Sequence, residues 1–293
     1  MMADLTEPFR TEKPYKLILK LAPPVMLAQL IQALYNIIDS FFVGRYSDSG
    51  LTALSIIYPV QLLMIALAVG TGVGINTVMA AKLGEGKKNE ADEYGGVGTP
   101  LAVVLWFFFA LVCWFIMPFY AEISTDSPEI IADVVMYGRI VCVLSFGLFL
   151  ESIWTKILQS GGNMKTPMVA QIAGAIVNIV LDPILIFGYL GLPEMGIAGA
   201  AYATVLGQIV SAIVGATLNQ KKNKEITIQL KGFRPDFKLI KQIYGIGIPS
   251  IIMASIGSVM NYGMNRILLG FTSTATAVFG VYFKLQSFIF MPV

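Results

Sequence analysis

Residues 166–188, TPMVAQIAGAIVNIVLDPILIFG, and residues 196–218, GIAGAAYATVLGQIVSAIVGATL, each run for more than twenty positions without a Lys, an Arg or a Glu. A helix rising about 1.5 Å per residue needs about 20 apolar residues to cross the roughly 30 Å hydrocarbon core of a bilayer. Both stretches meet that length, and the Gly- and Pro-containing residues 189–195 form the turn between them. Working outward on the same criterion, six more apolar stretches reach or approach a spanning length: residues 14–43, 52–82, 94–119, 128–155, 239–270 and 275–293. The polar residues 1–13 and the length of the first apolar stretch argue against a secretory signal.

Composition agrees. Hydrophobic residues make up 56% of the 293 and charged residues 13%, whereas a soluble domain carries roughly 25% charged residues. The fold class expected is therefore an all-α polytopic membrane protein. A formal charge of +2 is too small to point to nucleic acid. Cys113 and Cys142 lie in apolar spans without CxxC spacing, and there is no His in the chain; they read as small packing residues.

Lys and Arg are retained on the cytoplasmic side of membrane proteins. Alternate connections place Arg10, Lys13, Lys16 and Lys20, then Lys82, Lys87 and Lys88, then Lys156 and Lys165, then Lys221, Lys222, Lys224, Lys231, Arg234, Lys238 and Lys241 on one side, against Arg45 and Arg266 on the other. The asymmetry predicts a cytoplasmic N-terminus. The longest polar connection follows the sixth span, so the expected organisation is a six-helix lobe over residues 1–218, a cytoplasmic linker over 219–238, and the first one to two helices of a second lobe over 239–293. A shift of 225 residues superposes Pro24 on Pro249, Asn36 on Asn261 and Gln61 on Gln286, and the shared layout of early Pro, mid-helix Asn and polar second helix favours a parallel repeat. On that reading the second lobe lacks most of its helices here, which predicts that residues from about 239 onward pack loosely and that Asn261, Asn265 and Lys284 lack partners.

Carboxylates at helix-centre depth cost roughly 2.5–3.5 kcal/mol on insertion scales and face a cavity or a partner. Asp39 falls roughly 8 Å inside the outer end of the first span and Asp182 roughly 9 Å inside that of the fifth, at 1.5 Å per residue. Asn178 and Asp182 stand i,i+4 on one helix face, and Pro183 releases the carbonyl of Ile179 from the helix ladder. One carboxylate, one amide oxygen and one freed carbonyl form an oxygen set suited to a hard cation. Thr204 at roughly 12 Å depth and Tyr137 at roughly 14 Å could converge with them. Asn178 and Thr204 read equally well as interhelical hydrogen-bonding residues. Arg139 is the salt-bridge candidate for the carboxylates, and Glu151 falls at the inner surface near Lys156, where it should be solvated. Gly70, Gly72 and Gly74 precede no Lys-Ser or Lys-Thr pair, which excludes a phosphate loop and leaves close helix packing. Trp106, Trp114 and Trp154 read as lipid contact and core.

Taken together, the run Ala22-Pro23-Pro24 through Asp39 and Gly44-Arg45, the stretch Gly70-Thr71-Gly72-Val73-Gly74 ending in Lys82-Leu83-Gly84, the loop Leu158-Gln159-Ser160-Gly161-Gly162-Asn163 with Lys165 and Pro167, and Asn178 to Pro183 followed by Gly196-Ile197-Ala198-Gly199-Ala200-Ala201-Tyr202-Ala203-Thr204 resemble the multidrug and toxic compound extrusion (MATE) family, prokaryotic branch. That resemblance implies twelve helices in two six-helix lobes, truncated here in the second. It implies an antiporter in the cell membrane, a monomer when full length, that exports small organic, often cationic, substrates in exchange for Na⁺ or H⁺. It requires no cofactor beyond that coupling ion, and it carries the ion site onto Asp39, Asn178, Asp182 and Thr204, with Tyr137 nearby. Pro23 and Pro24 are the candidate helix hinge. A lipid-linked-precursor flippase of the same wider superfamily shares the bundle. An intramembrane enzyme is disfavoured, since the sequence has no His, no metal-spaced acidic cluster and no nucleophile beside a base.

Overall fold

The computed structural model describes residues 13–222 and 236–290. Among the described residues nine α-helices follow one another: α1 (Pro14–Tyr46), α2 (Asp48–Gly84), α3 (Lys88–Ser124), α4 (Pro128–Val143), α5 (Phe146–Ser160), α6 (Lys165–Phe187), α7 (Gly196–Lys222), α8 (Phe237–Leu269) and α9 (Ser273–Phe290), with a 3₁₀ turn at Tyr189–Gly191. No strand occurs among the described residues. Of the expected features, the basic residues Arg10, Lys224, Lys231 and Arg234 and most of the linker lie outside the described residues.

Local chemistry explains where helices start and stop. The α1–α2 connection is one residue, Ser47, whose hydroxyl accepts from the Gly50 N–H at 3.2 Å and so caps α2, satisfying a donor that the first turn cannot pair internally. The α2–α3 turn is held by Lys82 and Lys87 around Glu85 and Glu90, with Lys82–Glu90 at 2.9 Å and Lys87–Glu85 at 2.9 Å. Hydrogen bonds from the Lys87 and Lys82 ammoniums hold the Glu85 carboxyl below the usual glutamate range. Gly188 takes φ +71° to end α6, a left-handed cap that glycine adopts without strain.

α2 is the centre of the bundle. In its most apolar stretch 61% of residues are buried inside the protein, against 11% for α1, and it packs on α3, α4, α5 and α8. Phe107, Phe108 and Phe115 of α3 are exposed on the outside, as a lipid-facing surface requires. Cys113 and Cys142 are buried, unoxidised and side by side in the core.

Two expectations change here. The fourth span is a bent pair: α4 and α5 meet at Leu144–Ser145 at an angle of 45°. The Ser145 hydroxyl donates to the Cys142 carbonyl at 2.7 Å and the Trp106 indole N–H to the Val143 carbonyl at 2.9 Å, so side chains take over carbonyls of the interrupted ladder. Gly147 then lets α5 touch the backbone of α7 at Gln208 and Ile209.

The second change concerns α8 and α9. Loose packing was expected, yet α8 lies along α2 in one of the most extensive helix contacts of the molecule. Gly70 abuts the backbone of Ile251 and Gly74 that of Ile243, which is the close helix approach that the glycine series allows. Pro59 supplies the polar half of the interface. A proline inside a helix leaves the carbonyl four residues back without its N–H donor; that carbonyl belongs to Ser55, and the buried Asn265 amide of α8 donates to it at 2.8 Å. Ser258 donates to the Pro59 carbonyl itself at 2.5 Å. Lys284 and the Asn265 amide N–H group thus have partners within this chain, contrary to expectation, and Asn261 accepts a long 3.4 Å bond from Asn265, whereas Asn261 Nδ2 and Asn265 Oδ1 are buried without a partner, as expected.

Candidate cation-binding site

The site is assembled by the crossing of α6 and α7. A Cβ built on Gly174 would fall 2.6 Å from the Gly207 carbonyl oxygen, and one on Gly207 would fall 2.8 Å from that of Gly174. The two backbones touch there, as small residues permit between membrane helices. One turn along from Gly174 stands Asn178, and just before Gly207 stands Thr204, so the glycine contact sets these two side chains opposite one another. The Asn178 amide N–H group lies 3.4 Å from the Asp182 carboxylate oxygen Oδ1 and 3.5 Å from the Thr204 hydroxyl. These are long, weak hydrogen bonds.

Tyr137 reaches in from α4, fully buried, where its hydroxyl accepts from the Gln61 amide of α2 at 3.3 Å and contacts Thr204. Asp39 faces the cluster from α1 and is near enough to act electrostatically on both Asp182 and Tyr137. All five sequence-predicted residues are buried: Asp182 is 0% exposed, Asn178 1%, Tyr137 1%, Asp39 4% and Thr204 7%. The residues that depth and i,i+4 spacing single out are thus all buried, with Asn178 contacting Asp182 and Thr204, and Thr204 contacting Tyr137.

Three oxygens in this cluster have no hydrogen-bond partner: Asp39 Oδ1, Asn178 Oδ1 and Asp182 Oδ2. A buried oxygen without a partner is expensive, and these two carboxylate oxygens and one amide oxygen can only accept. α6 also runs uninterrupted through Pro183, which leaves the Ile179 carbonyl without its helical N–H donor one turn from Asp182. Such a set fits a small hard cation or a shared proton.

Two expectations are corrected. Arg139 does not pair with the carboxylates: its guanidinium sits 4.6 Å over the Trp114 ring and its NH2 group donates to the Trp114 carbonyl at 3.4 Å, because its helix face turns toward α3. Glu151 is not simply solvated. It is half-buried, and its Oε1 accepts from Thr155 at 2.9 Å and from Gln171 of α6 at 2.9 Å. At the candidate hinge, α1 continues as a helix across Pro23 and Pro24; Pro24 lines an internal cavity while Pro23 is exposed.

Sequence reasoning missed one residue at the site. Lys284 of α9 is 6% exposed, donates to the Ser40 hydroxyl beside Asp39, and lies 5.3 Å from the centre of the Tyr58 ring. Its ammonium acts electrostatically on Asp39, although no ion pair joins them among the described residues. The signal was visible, a lysine in the middle of an apolar span, but its partner lies 244 residues away in sequence.

The MatE family model matches residues 24–184. The multidrug export protein MepA of Staphylococcus aureus (strain NCTC 8325 / PS 47) is 24% identical over 290 residues, covering 96% of this chain and 61% of MepA. The probable multidrug resistance protein YoeA of Bacillus subtilis (strain 168) is 27% identical over 281 residues, covering 92% of this chain and 59% of YoeA. Among solved structures, an outward-facing conformation of a multidrug resistance MATE family transporter of the MOP superfamily superposes with a TM-score of 0.86 at 26% identity, over 100% of this chain and 64% of that one. An inward-facing conformation superposes with a TM-score of 0.83 at 26% identity, over 96% and 63%. The chain therefore spans about six tenths of the length of the relatives it matches.

Proposed function

The chain belongs to the MatE family, and on that premise we propose that it carries the ion-coupling site of an antiporter that exports small organic cations and other amphiphilic compounds in exchange for inward Na⁺ or H⁺. The single observation that carries the reading is the group of three unpartnered buried oxygens on Asp39, Asn178 and Asp182. The relatives named as multidrug exporters support the substrate class. The lopsided Lys and Arg count supports a multi-pass protein of the cell membrane with a cytoplasmic N-terminus. On this reading residues 1–218 form the first lobe, 219–238 the linker and 239–293 the opening of the second, and the functional protein is a monomer that works as a transporter, not an enzyme.

The mechanism follows from charge and dehydration. With the cluster open to the outside, Asp39 and Asp182 are ionised and hydrated. A cation that enters replaces water at their oxygens, with Asn178 and the Ile179 carbonyl completing its shell. Neutralisation removes the cost of dehydrating two carboxylates, a penalty of several kcal/mol per ion, and closing the outer side becomes favourable. Drug and cation thereby bias one two-state equilibrium in opposite directions, which is the condition for coupling. Thr204 and Tyr137 hold Asn178 and the cavity wall in place. Where the coupling ion is a proton, it is shared among the carboxylates, since no His is available.

The test is dye export from vesicles under an imposed Na⁺ or pH gradient. Asp39→Asn and Asp182→Asn should each abolish gradient-driven export while leaving the melting temperature near wild type. Wild-type export by either variant would refute the assignment.

A further inference from the structure

The Asn178–Thr204 cluster is one end of a longer polar passage. A cavity of about 260 Å³ starts at Asn178 and Thr204, passes between α1, α2, α5, α6 and α7, and ends at Lys156, Gln159 and Met164 beside the α5–α6 turn. Its polar lining follows helical periodicity. On α7, Thr204, Gln208 and Ser211 stand i, i+4 and i+7 on one face; on α6, Gln171 stands two turns before Asn178. Along this passage Gln208 Oε1 and the Ser211 hydroxyl, like Asn178 Oδ1, have no hydrogen-bond partner, and Ser211 is 6% exposed. Unpartnered oxygens therefore continue well beyond the cluster.

Glu151 stands midway. Thr155 and Gln171 both donate to its Oε1, so two neutral side chains orient the carboxylate without neutralising it. Its charged or titratable neighbours across the cavity are Lys156, five residues on in α5, and Tyr35 of α1. Lys156 does not bridge to Glu151 within ion-pair distance; its ammonium donates to Gln159 Oε1 at 3.1 Å. A carboxylate held inside a membrane bundle but left without a bonded cation has the character of an ion-pathway residue.

We propose that Glu151 is a second, weaker site for a monovalent cation, Na⁺ or H⁺, through which the coupling ion leaves the Asp182 cluster toward the α5–α6 turn. The proposal rests on the ion-coupling reading of that cluster. Weakness is part of the design: a site on an exit path must bind well enough to draw the ion in and loosely enough to release it. The nearby Lys156 ammonium repels a bound cation and supplies that looseness.

The experiment is equilibrium binding of Na⁺ by calorimetry and of protons by back-titration on the protein in nanodiscs, with cation release into vesicles followed in parallel. Wild type should bind in a tighter and a weaker step. Glu151→Gln preserves the hydrogen bonds to Oε1; it should lose the weaker step, keep the tighter one, and slow release at least tenfold, with Glu151→Asp restoring both. Asp182→Asn should do the reverse to the two binding steps. Retention of both steps by Glu151→Gln, loss of the tighter step with it, or unchanged release would each overturn the proposal. If Asp182→Asn keeps both steps, it is the cluster assignment that fails, whatever Glu151→Gln does.

Discussion

Lys284 of α9 donates a hydrogen bond to Ser40 of α1, the residue that follows Asp39. The contact sets an ammonium beside the carboxylate proposed to hold the coupling cation, without an ion pair between them, and it joins the last described helix to the first. At an effective dielectric of about 20, a unit charge roughly 4–8 Å away is worth about 2–4 kcal/mol to a neighbouring ion, and about 1.4 kcal/mol is tenfold in affinity.

Lys284→Gln should therefore raise the affinity of the cluster for Na⁺ or H⁺ by about tenfold or more, while Lys284→Arg should leave it near wild type. Equilibrium cation binding reads this directly. An unchanged affinity in Lys284→Gln would mean that the ammonium does not act on the site.

Asn265→Leu removes the amide that serves the Ser55 carbonyl, which Pro59 deprives of its helical donor. A buried carbonyl left unpaired costs about 1–3 kcal/mol, so the variant should melt several degrees below wild type in detergent. Combining it with Pro59→Ala, which returns an N–H to Ser55, should recover part of the loss. An additive double variant would refute the link between Pro59 and Asn265.

Gly207→Val tests whether the α6–α7 contact builds the site. Its side chain would collide with the Gly174 carbonyl and with Asn178, and overpacking of this kind costs about 1–3 kcal/mol. Cation affinity should fall at least tenfold as Asn178 moves away from Thr204, with a lower melting temperature. Gly215→Ala, where a Cβ would meet its neighbour Ala170 at an ordinary 3.5 Å, should change neither.

Thr204→Val keeps the shape of the side chain but removes the hydroxyl that Asn178 and Tyr137 contact. Coupled export should fall several-fold, with cation affinity reduced less than in Asp182→Asn, because Thr204 positions Asn178 while Asp182 supplies charge. Equal losses in the two variants would make Thr204 a direct ligand.

Several features follow from the sequence by itself, because hydrocarbon imposes one rule on every span: backbone groups must pair within the helix, and charges must be few and placed for a reason. Span length located the helices to within a few residues, and depth with i,i+4 spacing brought Asp39, Asn178, Asp182, Thr204 and Tyr137 forward as a group. What the sequence could not provide was the rotation of each helix about its axis and the contacts between distant helices. The 45° break at Leu144–Ser145 depends on Trp106 and on the α7 backbone, so no local pattern announces it. Arg139 was assigned to the carboxylates on depth alone, and rotation sent it to Trp114. Glu151 lies near the level expected, yet its direction, toward Gln171 and the cavity, is a property of α5 packed on α6. Only tertiary structure decides that the Ser55 carbonyl, freed by Pro59, meets Asn265 from 210 residues away. Depth is one-dimensional and can be counted along the chain; facing is relational, and it is settled where two helices touch.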